Sequence, residues 1–80
     1  MKIEGAHRTE IIFGTDLLEI GDIVIRDLDS NIGIITNISR KTDKKRLYYI
    51  LTFHDGSSTI GYEDSEWAII KRGSIVTIQT

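Results

Sequence analysis

The sequence predicts an all-β protein, a five- to six-stranded antiparallel meander that closes into a Src-homology-3-like small barrel. Isoleucine dominates its short apolar runs, and β-branched side chains favour strands over helices. Glycine, asparagine and aspartate separate these runs, while proline is absent from the chain. A chain of 80 residues is long enough for one domain only.

The first twenty residues are predicted to be an N-terminal extension or an extra strand. Residues 10–13 have strand-like composition, and Gly14 ends that run. Residues 17–20 fit either a helical turn or a lead-in strand, because four residues are too few for periodicity to decide. The barrel itself is assigned to residues 21–71, and residues 72–80 are assigned to a terminal edge strand.

Five strands are predicted within the barrel, at residues 22–26, 32–39, 46–54, 58–62 and 67–71. The third is expected to be the longest, and alternate residues along it share a face. Its uniformly apolar face should point to the core and consists of Leu47, Tyr49, Leu51 and Phe53. Asp55-Gly56 after this strand is a strong hairpin signal. The acidic run at residues 63–66 is expected to form one short helical turn.

Positive charge is concentrated in one segment of a chain whose net charge is −2. We expect residues 40–45 to be the tip of a hairpin in solvent, because clustered cations cannot be buried unpaired. Two interpretations remain open. The tip contacts phosphates or an acidic protein surface, or it is a solvated end that discourages edge pairing. The candidate binding residues are Arg40, Lys41, Lys44, Lys45, Arg46 and the adjacent Tyr48.

The aromatic residues Tyr48, Tyr62 and Trp67 are candidate surfaces for base stacking. Tyr48 and Tyr62 fit that role, whereas Trp67 is assigned to packing because a small domain needs large apolar anchors.

Patterns for metal binding and catalysis are incomplete. Residues 27–31 begin like a calcium loop, but the glycine and glutamate that such a loop requires would fall at Ile32 and Ile38. His54 is expected to be solvated or bonded locally. Cysteine is absent, and no residue is marked as a nucleophile. The sequence therefore predicts a protein that is not an enzyme and has no cofactor and no metal.

Three short motifs carry a resemblance to known domains: residues 33–38, residues 53–57 and Glu63-Asp64 ahead of an apolar strand. With the opening at residues 21–24, they resemble Tudor-type and KOW-like small barrels over residues 21–71. Tudor-type readers of methyl-lysine use a cage of aromatic faces, and Phe53 alone matches one of those positions. The resemblance therefore implies the fold and does not extend to methyl-lysine reading.

Together these features favour a non-enzymatic protein-protein interaction module, a small bacterial or viral regulatory or accessory factor in the cytoplasm. The alternative is a nucleic-acid-binding barrel that uses the basic segment. A protein partner is expected, and no contact with a membrane is expected because no apolar stretch is long enough to span one. The edge strands at residues 1–13 and 74–79 allow a homodimer or added strands from a partner.

Overall fold

Strands account for most of the chain in the computed structural model, which describes residues 2–4, 8–26, 31–73 and 77–79. A 3₁₀ turn at Thr15–Leu17 lies between the second and third strands. In chain order the strands are β1 (Lys2–Glu4), β2 (Thr9–Phe13), β3 (Ile23–Ile25), β4 (Ile32–Asp43), β5 (Arg46–Phe53), β6 (Ser58–Tyr62), β7 (Glu66–Ile70) and β8 (Thr77–Gln79). The predicted all-β class is confirmed.

Six of these strands form one antiparallel sheet in the order β2-β7-β3-β4-β5-β6. Consecutive strands from β3 to β6 are neighbours, which is the predicted meander, and β7 returns to lie beside β3. In the described part of the chain, β2 and β6 are the two ends of this sheet. Strands β1 and β8 pair with each other in a two-stranded sheet separate from the six-stranded one.

One face of the sheet holds the core. Its buried side chains come from most strands and from the segment after the 3₁₀ turn: Ile12, Leu18, Val24, Ile35, Leu51, Phe53 and Ile69, with Ile38 and Trp67 packed against them. The predicted core face of β5 is confirmed, because Tyr49, Leu51 and Phe53 are all buried and Leu47 is half-buried. Trp67 is half-buried as expected.

The predicted helical turn at residues 63–66 is wrong. The chain makes a tight turn there, in which the backbone N–H of Ser65 donates to the Tyr62 carbonyl over 3.2 Å. The Ser65 hydroxyl in return accepts the backbone N–H of Tyr62 over 2.9 Å. A serine side chain that bonds a nearby backbone group in this way competes with helix formation. Glu66 already belongs to β7.

The hairpin between β4 and β5 differs from its prediction. Residues 40–43 continue β4, which makes β4 the longest described strand at 12 residues; β5 has 8. The turn itself is Lys44-Lys45, and Asp43 pairs directly with Arg46 across it. A cluster of cations requires access to water, but it does not require the strand to end. An exposed strand can carry cations on both of its faces.

The hairpin between β5 and β6 was placed correctly at Asp55-Gly56. Here the Gly56 N–H donates to the Phe53 carbonyl and the Phe53 N–H donates to the Ser57 carbonyl. Gly56 alone in this loop has positive φ, at 85°. This is a three-residue loop closed by a glycine bulge rather than a two-residue turn.

Candidate functional site

The β4–β5 hairpin extends beyond the end of β6. Strand β6 pairs with β5 only between Tyr48 and Thr52, whereas β4 pairs with β5 as far as Arg46. The last residue pairs and the turn therefore project from the three-stranded part of the sheet. This geometry gives the segment around residues 40–46 two exposed surfaces rather than one.

Strand register separates the predicted binding residues between these surfaces. Arg40 lies opposite Tyr49 and shares the core-side face, since Tyr49 is buried. Lys41 lies opposite Tyr48 on the other face. Tyr48 in turn lies opposite Tyr62 of β6. Three successive strands thus present a lysine and two tyrosines in one row.

Arg46 belongs to the same face as this row. Its guanidinium lies over the ring of Tyr62, 4.0 Å from the ring centroid, well within the range of cation–π attraction. Ile60, two residues before Tyr62, is 53% exposed. We call the surface formed by Lys41, Arg46, Tyr48, Ile60 and Tyr62 the tyrosine face.

A shallow depression lies on the tyrosine face. Its volume is about 350 Å³, and Asp43 completes its lining together with Arg46, both tyrosines and Ile60. Arginine and tyrosine are enriched among the residues that dominate binding energy at protein interfaces. The prediction from sequence missed Ile60 and Asp43, and it did not join Tyr62 to the basic segment. Residue alternation along β6, aligned through the Asp55-Gly56 turn, is the signal that could have found Ile60 and Tyr62, and alternation with Lys41 along β4 could have found Asp43.

The turn residues Lys44 and Lys45 have φ of 47° and 67°. Positive φ at both central positions is the geometry of a type I′ turn, for which Asn-Gly is strongly preferred. For a residue with a Cβ atom, this left-handed conformation costs about 1–2 kcal/mol per residue. Two lysines are therefore held where the backbone favours smaller residues.

A second polar cluster surrounds Arg26 at the end of β3. Its guanidinium donates to the carboxylate of Asp55 over 3.0 Å and to the hydroxyl of Ser57 over 2.8 Å. It also lies over the Phe53 ring at 5.0 Å. The single aromatic residue that matches a Tudor-type cage is thus covered by a cation of the chain itself.

The carboxyl group of Asp55 is kept in its charged form by its neighbours in this cluster. Hydrogen bonds from the hydroxyl and backbone N–H of Ser57, together with Arg26, lower the pKa of Asp55 far below its ordinary value. Ser57 therefore donates its hydroxyl to a carboxylate that its lowered pKa makes a weak base. His54 is exposed, and its Nδ1 accepts the backbone N–H of Ile34 over 3.0 Å. The cluster joins the end of β3 to the β5–β6 loop.

A cleft of about 550 Å³ lies beside the Arg26 cluster, between β6 and the β3–β7 pair. Trp67 and Phe53 contribute aromatic surface to it, and Glu66 contributes a carboxylate. Its polar lining includes Arg26, whose terminal nitrogens bond Asp55, Ser57 and the Ile32 carbonyl. Among the described residues, the buried Arg26 Nε has no hydrogen-bond partner, so the cleft keeps one unsatisfied donor.

The region of the calcium-like pattern, residues 27–30, lies outside the described residues. Within residues 8–26, 31–73 and the two short terminal strands, no three His, Asp or Glu side chains are grouped so as to hold a metal ion. No helix among the described residues is long and apolar enough to cross a bilayer.

Comparison with protein-family models, with curated proteins and with solved structures finds no match to this chain.

Proposed function

We propose that this protein is a non-enzymatic interaction module that binds an acidic surface of a protein partner through the tyrosine face. The observation that carries the proposal is the row Lys41–Tyr48–Tyr62 across three strands, with Arg46 stacked on its last ring. Tyrosine supplies large contact area with few rotatable bonds. The adjacent cations steer and orient a partner of opposite charge.

The backbone strain at the turn supports a role for the basic end of the hairpin. Strained positions persist where the surrounding structure imposes them, and they cluster at binding and switch sites. Lys44 and Lys45 are exposed, so packing does not account for the retention of lysine there. Their charges, added to those of Lys41 and Arg46, extend the positive field beyond the tyrosine face.

Nucleic acid is the second candidate ligand, and it is favoured by the same alternation of cations and tyrosines. Bases stack on exposed aromatic rings beside basic grooves. Three features favour protein instead. The Arg46 guanidinium already covers one face of Tyr62, Asp43 lies within the depression, and Ile60 adds apolar area that phosphates do not use. A net charge of −2 also weakens attraction to a polyanion.

The test is affinity capture from lysate, read by mass spectrometry, with two variants that differ in which face they alter. Lys41→Ser removes a cation of the tyrosine face, and Arg40→Ser removes its neighbour in sequence from the opposite face. We expect one set of proteins to be captured by the unmutated chain and by Arg40→Ser, and lost with Lys41→Ser. Equal loss with both variants would mean that capture depends on net charge alone, and the proposed role of the tyrosine face would then be wrong.

A fluorescence-anisotropy titration with mixed single- and double-stranded oligonucleotides at low salt separates the second candidate. We expect no binding. Each phosphate contact makes the affinity fall more steeply with salt. If binding weakens steeply with salt and is lost with Lys41→Ser, the ligand is nucleic acid and the proposal of a protein partner is wrong.

We also propose that the six-stranded sheet curls into a partly open form of the small barrel that the resemblance implies, in which β2 and β6 approach at one corner and do not pair along their edges. The support is contact between its two ends. Thr15, just after β2, donates its hydroxyl to the Tyr62 carbonyl at the end of β6 over 2.6 Å. The same oxygen accepts the indole N–H of Trp67 over 2.9 Å.

A cytoplasmic regulatory or accessory role remains part of the proposal. Its support is the absence of cysteine, which suits a reducing compartment, and the interaction surface itself.

A further inference from the structure

Exposed apolar side chains concentrate in one short segment of the chain, on β2 and just after it. Among the described residues, five large apolar side chains are strongly exposed, and four of them lie within residues 11–20. These four are Ile11 at 50%, Phe13 at 66%, Leu17 at 56% and Ile20 at 66%. Such concentration marks an interaction site more often than isolated exposed residues do.

Strand β2, which carries Ile11 and Phe13, is also an end strand of the main sheet. In the described part of the chain it pairs with β7 alone, in unbroken register. Residues 9–13 contain no lysine, no proline and no bulge, which are the usual devices that prevent an edge strand from pairing with another chain.

Two hydrogen bonds at the ends of the β2–β7 ladder show which backbone groups are free. The Lys71 N–H donates to the Arg8 carbonyl over 2.7 Å, and the Gly14 N–H donates to the Ser65 carbonyl over 2.9 Å. Because bonding alternates along an antiparallel strand, the even-numbered residues between them bond β7. Thr9, Ile11 and Phe13 therefore direct their backbone N–H and C=O groups toward the open edge.

We propose that two copies of this chain associate through β2, antiparallel, about a two-fold axis at Ile11. This register pairs Ile11 with Ile11 of the second copy and Thr9 with Phe13. In this register the backbone N–H and C=O groups of Thr9, Ile11 and Phe13 all bond the second copy. These are the three residues of β2 whose backbone groups point to the open edge. An axis at Thr9 or at Phe13 would leave part of this set unpaired.

The side chains of β2 suit a second copy in the same register. Ile11 and Phe13 lie on one exposed face, and cross-strand aromatic and β-branched pairs stabilise a sheet. Glu10 is the charged residue of β2, and it falls opposite Ile12 of the other copy, so no like charges meet. An isologous contact of this kind closes on itself and stops at two copies.

The association goes beyond the proposed function and does not depend on it. The proposed pairing uses the open edge of β2 and no residue of the tyrosine face, so both copies keep that face available. Two joined copies would bind a multivalent partner with greater avidity than one.

Light scattering with size-exclusion chromatography tests the proposal on the full chain over a concentration series. We expect the unmutated protein to approach twice its monomer mass of 9.1 kDa as concentration rises. Ile11→Lys should remain a monomer. Ile60→Lys is the matched control, because Ile60 is 53% exposed on a different surface, and it should dimerise like the unmutated protein. A monomer at every concentration, or equal disruption by both variants, overturns the proposal.

Cysteine cross-linking gives a second readout that does not require Ile11→Lys to fold. The chain has no cysteine, so Ile11→Cys and Ile60→Cys each introduce one thiol. Directly paired antiparallel residues have Cα atoms about 5.5 Å apart, which a disulfide can bridge. We expect oxidation to give a disulfide-linked dimer with Ile11→Cys at a rate at least about tenfold above Ile60→Cys. Equal rates would refute pairing at Ile11.

Discussion

Replacing Lys44-Lys45 by Asn-Gly should stabilise the protein. Both lysines have positive φ, and relief of this conformation is worth about 1–2 kcal/mol per residue. Glycine returns about 0.5–1 kcal/mol of that gain through its greater freedom in the unfolded chain. The net expectation is a rise of about 1–3 kcal/mol in the free energy of unfolding. In a domain of this size, each kcal/mol raises Tm by about 4–8 °C.

Equilibrium urea denaturation, followed through the fluorescence of the single tryptophan, measures this change. Trp67 is a suitable probe because it is half-buried and its indole N–H is bonded to Thr15. The control is Arg40→Gln with Lys41→Gln, which removes two cations from β4 and leaves the turn unchanged. Surface substitutions of that kind shift stability by about 0.5 kcal/mol or less.

The comparison of these two variants separates strain from charge repulsion. If the Asn-Gly variant is no more stable than the double-glutamine control, the strain argument is refuted. If it is more stable but binds the captured partner less tightly, the lysines were retained for binding at the expense of stability, as the proposed function requires.

Four further substitutions test the contacts that hold the fold. Asp22→Asn should lower stability at neutral pH by about 1.5–3 kcal/mol by weakening charged hydrogen bonds, whereas Glu19→Gln, at an exposed ion pair, should cost less than about 1 kcal/mol; urea denaturation measures both. Thr15→Val leaves the Trp67 N–H without its partner and should cost about 1–3 kcal/mol; an unchanged urea midpoint would contradict the bridging role. Gly61→Ala would place a Cβ 2.6 Å from the Thr15 hydroxyl, and a melting curve should show a loss of about 1–3 kcal/mol.

The Asp22 prediction includes a dependence on pH. Burial acts to raise the pKa of Asp22, but hydrogen bonds from Arg72 and from the Glu19 backbone outweigh it, so the pKa is lowered. A carboxyl group with a lowered pKa adds stability above its ordinary pKa of about 4 and loses it as pH falls through the folded value. Asp22→Asn should therefore lose less stability than the unmutated protein when pH is lowered below about 4.

Alternation and composition were sufficient to predict the strands and the core face of β5. Leu47, Tyr49, Leu51 and Phe53 repeat every second residue, and burial follows that period because successive side chains point to opposite faces. The hairpin at Asp55-Gly56 was predictable from its turn residues, since a glycine accepts positive φ without strain.

The candidate site was less predictable, because it depends on contacts between strands distant in sequence. Charge alone indicated residues 40–46, but only the pairing of β4 with β5 and of β5 with β6 places Lys41 beside Tyr48 and Tyr62. The same pairing places Arg40 on the other face. Likewise, no local sequence pattern predicts that β2 pairs with β7.

The most direct test of the account is an NMR titration of the isotope-labelled protein with the partner that Lys41→Ser fails to capture. We predict that amide shifts concentrate at Lys41, Arg46, Tyr48, Ile60 and Tyr62, while the amides of β2 and of the Arg26 cluster change little. Shifts centred on the cleft beside Trp67, with the tyrosine face unaffected, would contradict it.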